Sequence, residues 1–260
     1  TAYRRQRQMC IRDRSGYYPD DSNRRIINEE YHQYIFIQED RFKLLSGVAR
    51  MNKGKSHFNG DNFLISRLEC GKAIAAIADG MGSGKRAYIE SRMVIELMEN
   101  CIDAGFDEKA SIDLINSAYI AGGGTGNPVT MDMSVIDCQS GYMHCMKLGA
   151  VSTFIRRDKW VEIIQSTTLP MGVLEQVDYD CTTKKLYDGD YIVMVSDGGL
   201  DNIPCVNKEA RMAQMIHALT IREPSAMAEK LLEQSLAYND MKASDDCTVL
   251  VLGLFDTYEK

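Results

Sequence analysis

From residue 41 onward the apolar positions fall into short, regular patterns. RFKLLSGVARM (41–51) and DNFLISRLE (61–69) alternate as half-buried strands do, and GKAIAAIA (71–78) is nearly continuous, as a fully buried strand is. Val94, Leu97, Met98, Cys101 and Ile102 then recur at helical spacing, which predicts a helix over 85–104 that Gly105 stops. A second helix is predicted over 108–120, ending at the run Gly122-Gly123-Gly124. Strands return as MDMSVIDC (131–138), YMHCMKLGA (142–150), VSTFIRR (151–157) and WVEII (160–164). DYDCTTKKL (178–186) leads through the turn Asp188-Gly189-Asp190 into YIVMVSDG (191–198). Helical patterns over 209–219 and 225–237 precede a closing strand, CTVLVLGLF (247–255). Strands in hairpins with helices in blocks predict an α+β fold, an antiparallel β-sandwich covered by helix pairs.

Before residue 41 the pattern is lost. Residues 1–40 are polar, basic and then acidic, and read as a tail or linker, partly disordered or helical; YHQYIFI (31–37) within them reads as a short strand or helix. One domain is therefore expected over 41–257. Composition narrows its class. The 260 residues are 45% hydrophobic and 26% charged, ordinary for a globular protein, and their net charge of −7 argues against a nucleic-acid partner. The eight cysteines form no C-x-x-C pair and no zinc-finger spacing, and several sit in apolar runs, which fits reduced core thiols. No run reaches the length of a membrane span, and the N-terminus has no signal-peptide core, so no membrane contact is expected of this segment.

IADGMGSGKRA (77–87) resembles a phosphate-binding P-loop at first glance. The register excludes that reading. Counting back from Gly84-Lys85, the first glycine of G-x-x-x-x-G-K would be Asp79, and Arg86 stands where the magnesium-binding hydroxyl belongs. An Asp-Gly pair at the end of a buried strand remains, and it has company. YIVMVSDGG ends on Asp197-Gly198, Asp245-Asp246 opens the last strand, and Asp61 opens DNFLISRLE. Carboxylates converging at strand ends repel one another unless cations neutralise them, and an oxygen-only set selects hard ions such as Mg²⁺ or Mn²⁺. The carbonyl of Gly80 is a further ligand candidate, because glycine lets the main chain approach closely. His32, His57, His144 and His217 share no motif with these aspartates, and Cys145 reads as core.

The order GD … ADGMGSG … SDG … DDCTV resembles the metal-dependent phosphatases of the protein phosphatase 2C (PPM) superfamily. The block from SGVARMNKGKSHFNGDNF to IDLIN is similar to the phosphatase domains of the stage II sporulation protein E family, and the likeness runs from about residue 41 to 255. The resemblance implies two Mn²⁺ or Mg²⁺ ions at one end of the sandwich. It assigns Asp79 to both ions, the Gly80 carbonyl to one, and Asp197 and Asp245 to the remaining ligand positions, with Asp61 holding metal-bound water. The three aspartates Asp79, Asp197 and Asp245 thereby carry catalysis, with a water ionised by the two cations attacking phosphorus in line. Asp132 is a candidate for a loosely held third ion, and the roles of Asp245 and Asp246 stay open. The family's animal members grip phosphate with an upstream Arg that has no obvious counterpart here, leaving Lys85 and Arg86 as candidates.

The resemblance further implies a phosphoserine protein substrate of the anti-sigma factor antagonist type, in sporulation sigma-factor control. It places the segment in the cytoplasmic part of a larger membrane-anchored protein and is compatible with a homodimer. The helices over 85–120 resemble the switch helices of this bacterial group, so substitutions at Val94 or Leu97 are expected to change activation more than folding. The alternative reading is a catalytically silent partner-binding module on the same fold.

Overall fold

A computed structural model describes residues 17–19 and 36–257, apart from 55, 69, 70, 124–126 and 159. The chain divides into two units, Thr1–Arg41 and Phe42–Lys260. In the first, β1 (Tyr17–Pro19) pairs antiparallel with β2 (Phe36–Gln38). The expectations for residues 1–16 and 20–35 lie outside the described residues.

The second unit holds two five-stranded sheets. The first runs β10 (Asp180–Lys185), β7 (Tyr142–Leu148), β6 (Val129–Asp137), β5 (Lys72–Gly80), β4 (Asp61–Arg67). The second runs β3 (Phe42–Met51), β12 (Cys247–Asp256), β11 (Tyr191–Val195), β8 (Thr153–Arg157), β9 (Trp160–Ile164). All pairings within them are antiparallel, as the hairpin pattern requires. Helix α1 (Lys85–Asp103) packs on β4 and β5 and against α2 (Glu108–Ala118). On the other side α4 (Lys208–Ala218) covers β8 and β9, and α5 (Pro224–Leu236) covers β3 and β12. A short α3 (Asp197–Asp201), which the sequence pattern does not announce, follows β11 directly.

Period-two burial explains why β5 reads as an unbroken apolar run. Ile74, Ala76 and Ala78 face the α1–α2 layer, while Ala75 and Ile77 face the opposing sheet. The same division puts Val249 and Val251 of β12 under α5 and Leu250, Leu252 and Leu254 between the sheets. The result is three cores in a helix–sheet–sheet–helix stack. The glycines of DGMGSGK set the entry to α1, because Gly82 (φ +100) and Gly84 (φ +82) take left-handed conformations that side chains rarely adopt. Gly105 (φ +85) ends the helix, and Asp107 caps α2 by accepting from the Ala110 amide at 2.7 Å. Beyond α2 the chain continues into one π-turn, Tyr119–Gly123, so the predicted end at 120 falls inside that turn.

Candidate metal centre

Register brings the first two carboxylates together. Asp61 on β4 pairs directly with Asp79 on β5, and Thr130 on β6 flanks Asp79 on its other side. The second sheet supplies the rest from one rim. Asp197 follows the end of β11, Asp245 precedes the start of β12, and the two segments are tied by Ser196 N to Thr248 O (3.0 Å) and Thr248 N to Ser196 Oγ (2.9 Å). Asp79, Asp197 and Asp245 line one cleft of about 390 Å³, whose walls include Met81, Val151 and Pro170. A larger cavity of about 650 Å³ lies at the opposite ends of β11 and β12 and holds none of these aspartates.

The glycine of each Asp-Gly pair is required by close packing. A Cβ on Gly80 would stand 2.3 Å from the Ala87 carbonyl oxygen of α1, and one on Gly198 would stand 2.1 Å from the Asp246 carbonyl oxygen. Each aspartate is thus fixed by a neighbouring backbone pressed against the next residue. Helix α1 is also fastened beside Asp61: Ser91 Oγ reaches the Gly60 carbonyl, and Asn62 Nδ2 donates to Ser91 Oγ at 2.8 Å.

The electrostatics follow from crowding. Burial first, then the charges of Asp61, Asp197 and Asp245 and a hydrogen bond with Asp197, push the Asp79 carboxyl up to about 10. Burial raises Asp61 to about 7; the Thr248 and Ser196 hydroxyls and the Arg50 guanidinium pull it back, while Asp197 adds to the rise. Neither hydroxyl makes a well-formed hydrogen bond to Asp61, whose two carboxylate oxygens are both buried without a partner. Asp197 is exposed as a residue, yet burial of its carboxyl raises it too. Orphaned buried oxygens and mutually repelling carboxylates are what a divalent cation neutralises, and the all-oxygen donor set fits Mg²⁺ or Mn²⁺. Among the described residues no three such side chains already close round one point.

Asp245 and Asp246 divide their roles clearly. Asp246 is 3% exposed and accepts from the amides of Lys53 (Oδ1, 2.7 Å) and Gly60 (Oδ2, 2.7 Å), so it clamps both ends of the β3–β4 loop. Asp245 faces the cleft. Asp132 also lines the cleft, one pleat deeper, since Ile77 and Lys147 are its cross-strand partners. Its carboxylate is already matched: Lys147 Nζ lies 2.6 Å from Oδ2, both side chains are almost fully buried, and Thr153 Oγ1 donates to the same oxygen. The charge of Asp132, the sequence-based candidate for a third ion, is thus matched within the protein itself. Arg86 turns its Nε to Glu90 (3.4 Å), and Lys85 is exposed at the start of α1. The inward positions of Asp132 and Lys147 were readable from strand alternation; the clamp by Asp246 was not, because it joins residues far apart in the chain.

Two sheets between helix pairs, with rim aspartates in a cleft at one end, define a class. Superposition on a solved structure, the PP2C phosphatase domain with a fragment of the regulatory domain of SpoIIE from Bacillus subtilis, gives a TM-score of 0.80 at 30% identity, covering 85% of this chain and 66% of that one. The fold is that of the PP2C-type phosphatases. The profile of the family Stage II sporulation protein E (SpoIIE) matches residues 70–255, and the chain belongs to that family. Stage II sporulation protein E of Bacillus subtilis (strain 168) is 31% identical over 225 residues, covering 86% of this chain and 27% of that protein. The protein of the same name from Priestia megaterium is 32% identical over 210 residues, covering 80% of this chain and 36% of that protein. The chain thus spans between about a quarter and about a third of the length of these relatives.

Proposed function

We propose that this chain is a metal-dependent protein serine phosphatase, acting on a phosphoserine protein of the anti-sigma factor antagonist type in sporulation sigma-factor control. The observation that carries the reading is the meeting of Asp79 from one sheet with Asp197 and Asp245 from the other in a single cleft, with the buried Asp61 paired to Asp79 behind it. Asp79, the Gly80 carbonyl, Asp197 and Asp245 would hold two Mn²⁺ or Mg²⁺ ions, with Asp61 behind them. Such a pair of ions, when bound, supplies a nucleophilic water at neutral pH and offsets charge on the phosphoryl oxygens.

The chain's own residues do the rest. Asp61 and Asp79 face each other across paired strands, which fixes their backbone separation before any ligand arrives. Asp246 holds the β3–β4 loop over the cleft rim. Helix α1 presses on Gly80 through Ala87, so a shift of α1 moves the Gly80 carbonyl; this makes α1 and α2 a lever through which a regulator can act. No helix of the described residues is long and apolar enough to cross a membrane, and membrane attachment would come from another part of a longer protein.

Dephosphorylation of a phosphoserine protein with Mn²⁺, with chelator, and with Asp79→Asn tests the reading. Turnover should need the metal and fall by at least about 100-fold in Asp79→Asn. Absence of turnover with Mn²⁺ and with Mg²⁺ would instead favour a silent binding module.

A further inference from the structure

A phosphoryl group carries close to two negative charges into a cleft already lined by carboxylates, so a cation of the chain at the rim would add to the charge that bound metal ions offset. The basic side chains around the centre are mostly committed. Arg50 Nη2 donates to the Asp61 carbonyl, and its guanidinium lies 5.5 Å over the Phe63 ring. Lys147 is buried against Asp132 and the Val151 carbonyl (2.6 Å). Arg86 is paired with Glu90.

Lys53 is also ion-paired, but its partner is a carboxylate of the cleft itself. Its Nζ stands 3.4 Å from Asp245 Oδ1, at a carboxylate that lines the cleft, and its side chain is 45% exposed. A partly exposed pair of this kind is weak and exchanges readily for another anion. The backbone that presents it is not loose. Asp246 holds the Lys53 amide, and within the same loop Asn59 Nδ2 donates to Asn52 Oδ1 (2.9 Å) while Asn52 Nδ2 donates to Ser56 O (3.0 Å). A flexible ammonium on a fixed backbone beside the cleft is the form in which lysine binds phosphate, as a point charge.

We propose that Lys53 is a catalytic residue of this site, its ammonium engaging the phosphoryl oxygens of the phosphoserine substrate at the cleft rim. This rests on the phosphatase reading above. It also explains why the clamp by Asp246 matters: the clamp places the cation next to the centre without spending a metal ligand. Because Lys53 and a bound cation compete for Asp245, removing the lysine should leave metal affinity unchanged or raise it.

The test compares Lys53→Ala and Lys53→Arg with wild type. In Lys53→Ala, kcat/KM on a phosphoserine protein should fall about 10–100-fold, the loss of one charged hydrogen bond, with Mn²⁺ half-saturation no weaker and the thermal midpoint nearly unchanged. Lys53→Arg should recover part of the loss. An unchanged kcat/KM in Lys53→Ala would overturn the proposal, as would a loss fully restored by more Mn²⁺. Should the wild type show no turnover, the phosphatase reading fails separately. Calorimetric binding of inorganic phosphate to the Mn²⁺-loaded protein then decides for Lys53: weaker binding in Lys53→Ala supports the contact, and equal binding overturns it.

Discussion

Burial, and then the company of Asp61, Asp197 and Asp245, keep a proton on Asp79 far above the ordinary carboxylate range. The sign of the consequence is fixed. Both Asp61 and Asp79 are raised above 3.8, so in metal-free protein their stabilising protonation is complete below that value and is lost as pH rises through about 7 and then about 10. With chelator present, the thermal midpoint of the wild type should fall from about pH 6 to about pH 9, and Mn²⁺ should offset much of that fall. Asp79→Asn, which cannot ionise, should show a flatter profile in chelator. Melts of both proteins across that range check this; a wild-type profile no steeper than that of the variant contradicts it. The aspartates themselves were legible, because Asp79, Asp197 and Asp245 each interrupt or border an apolar run. The difference between Asp245 and Asp246 was not, since it depends on which carboxylate turns to the Lys53 and Gly60 amides.

At the scale of elements, α1 is the part whose position reaches the centre, through Ala87 on Gly80 and Ser91 on the Gly60 carbonyl. Its apolar stripe was legible from spacing, and so were most strands, because a period of two or 3.6 is local information. The π-turn after α2 and the short α3 were not. Their geometry answers to packing, α3 against the Asp246 backbone above all. The structure also separates the two positions that the lever points to. Val94 is fully buried in the core beneath α1, whereas Leu97 is only partly buried at its edge. Val94→Ala should therefore cost about 1.5–3 kcal/mol of stability whatever it does to activity. Leu97→Ala should cost less and still shift the Mn²⁺ dependence of turnover. Urea unfolding beside metal-dependent rates checks the pair. An equal stability loss in both variants, with activity following stability, argues against the lever.

At the scale of the whole molecule, the two sheets contribute two aspartates each to one centre: Asp61 and Asp79 come from the first, Asp197 and Asp245 from the rim of the second. The layer order was legible from the alternation of strand hairpins and helix blocks. The facing of the two rims was not, because it depends on contacts between the sheets, such as Thr153 of β8 reaching Asp132 of β6. The central claim is that this meeting of rims is a site for divalent cations. Calorimetric titration of Mn²⁺ into chelator-stripped wild type and Asp79→Asn tests it most directly. Two ions should bind per wild-type chain, with affinity weakened at least about tenfold in the variant; a wild type that takes up no Mn²⁺, or a variant that binds it equally well, would contradict this.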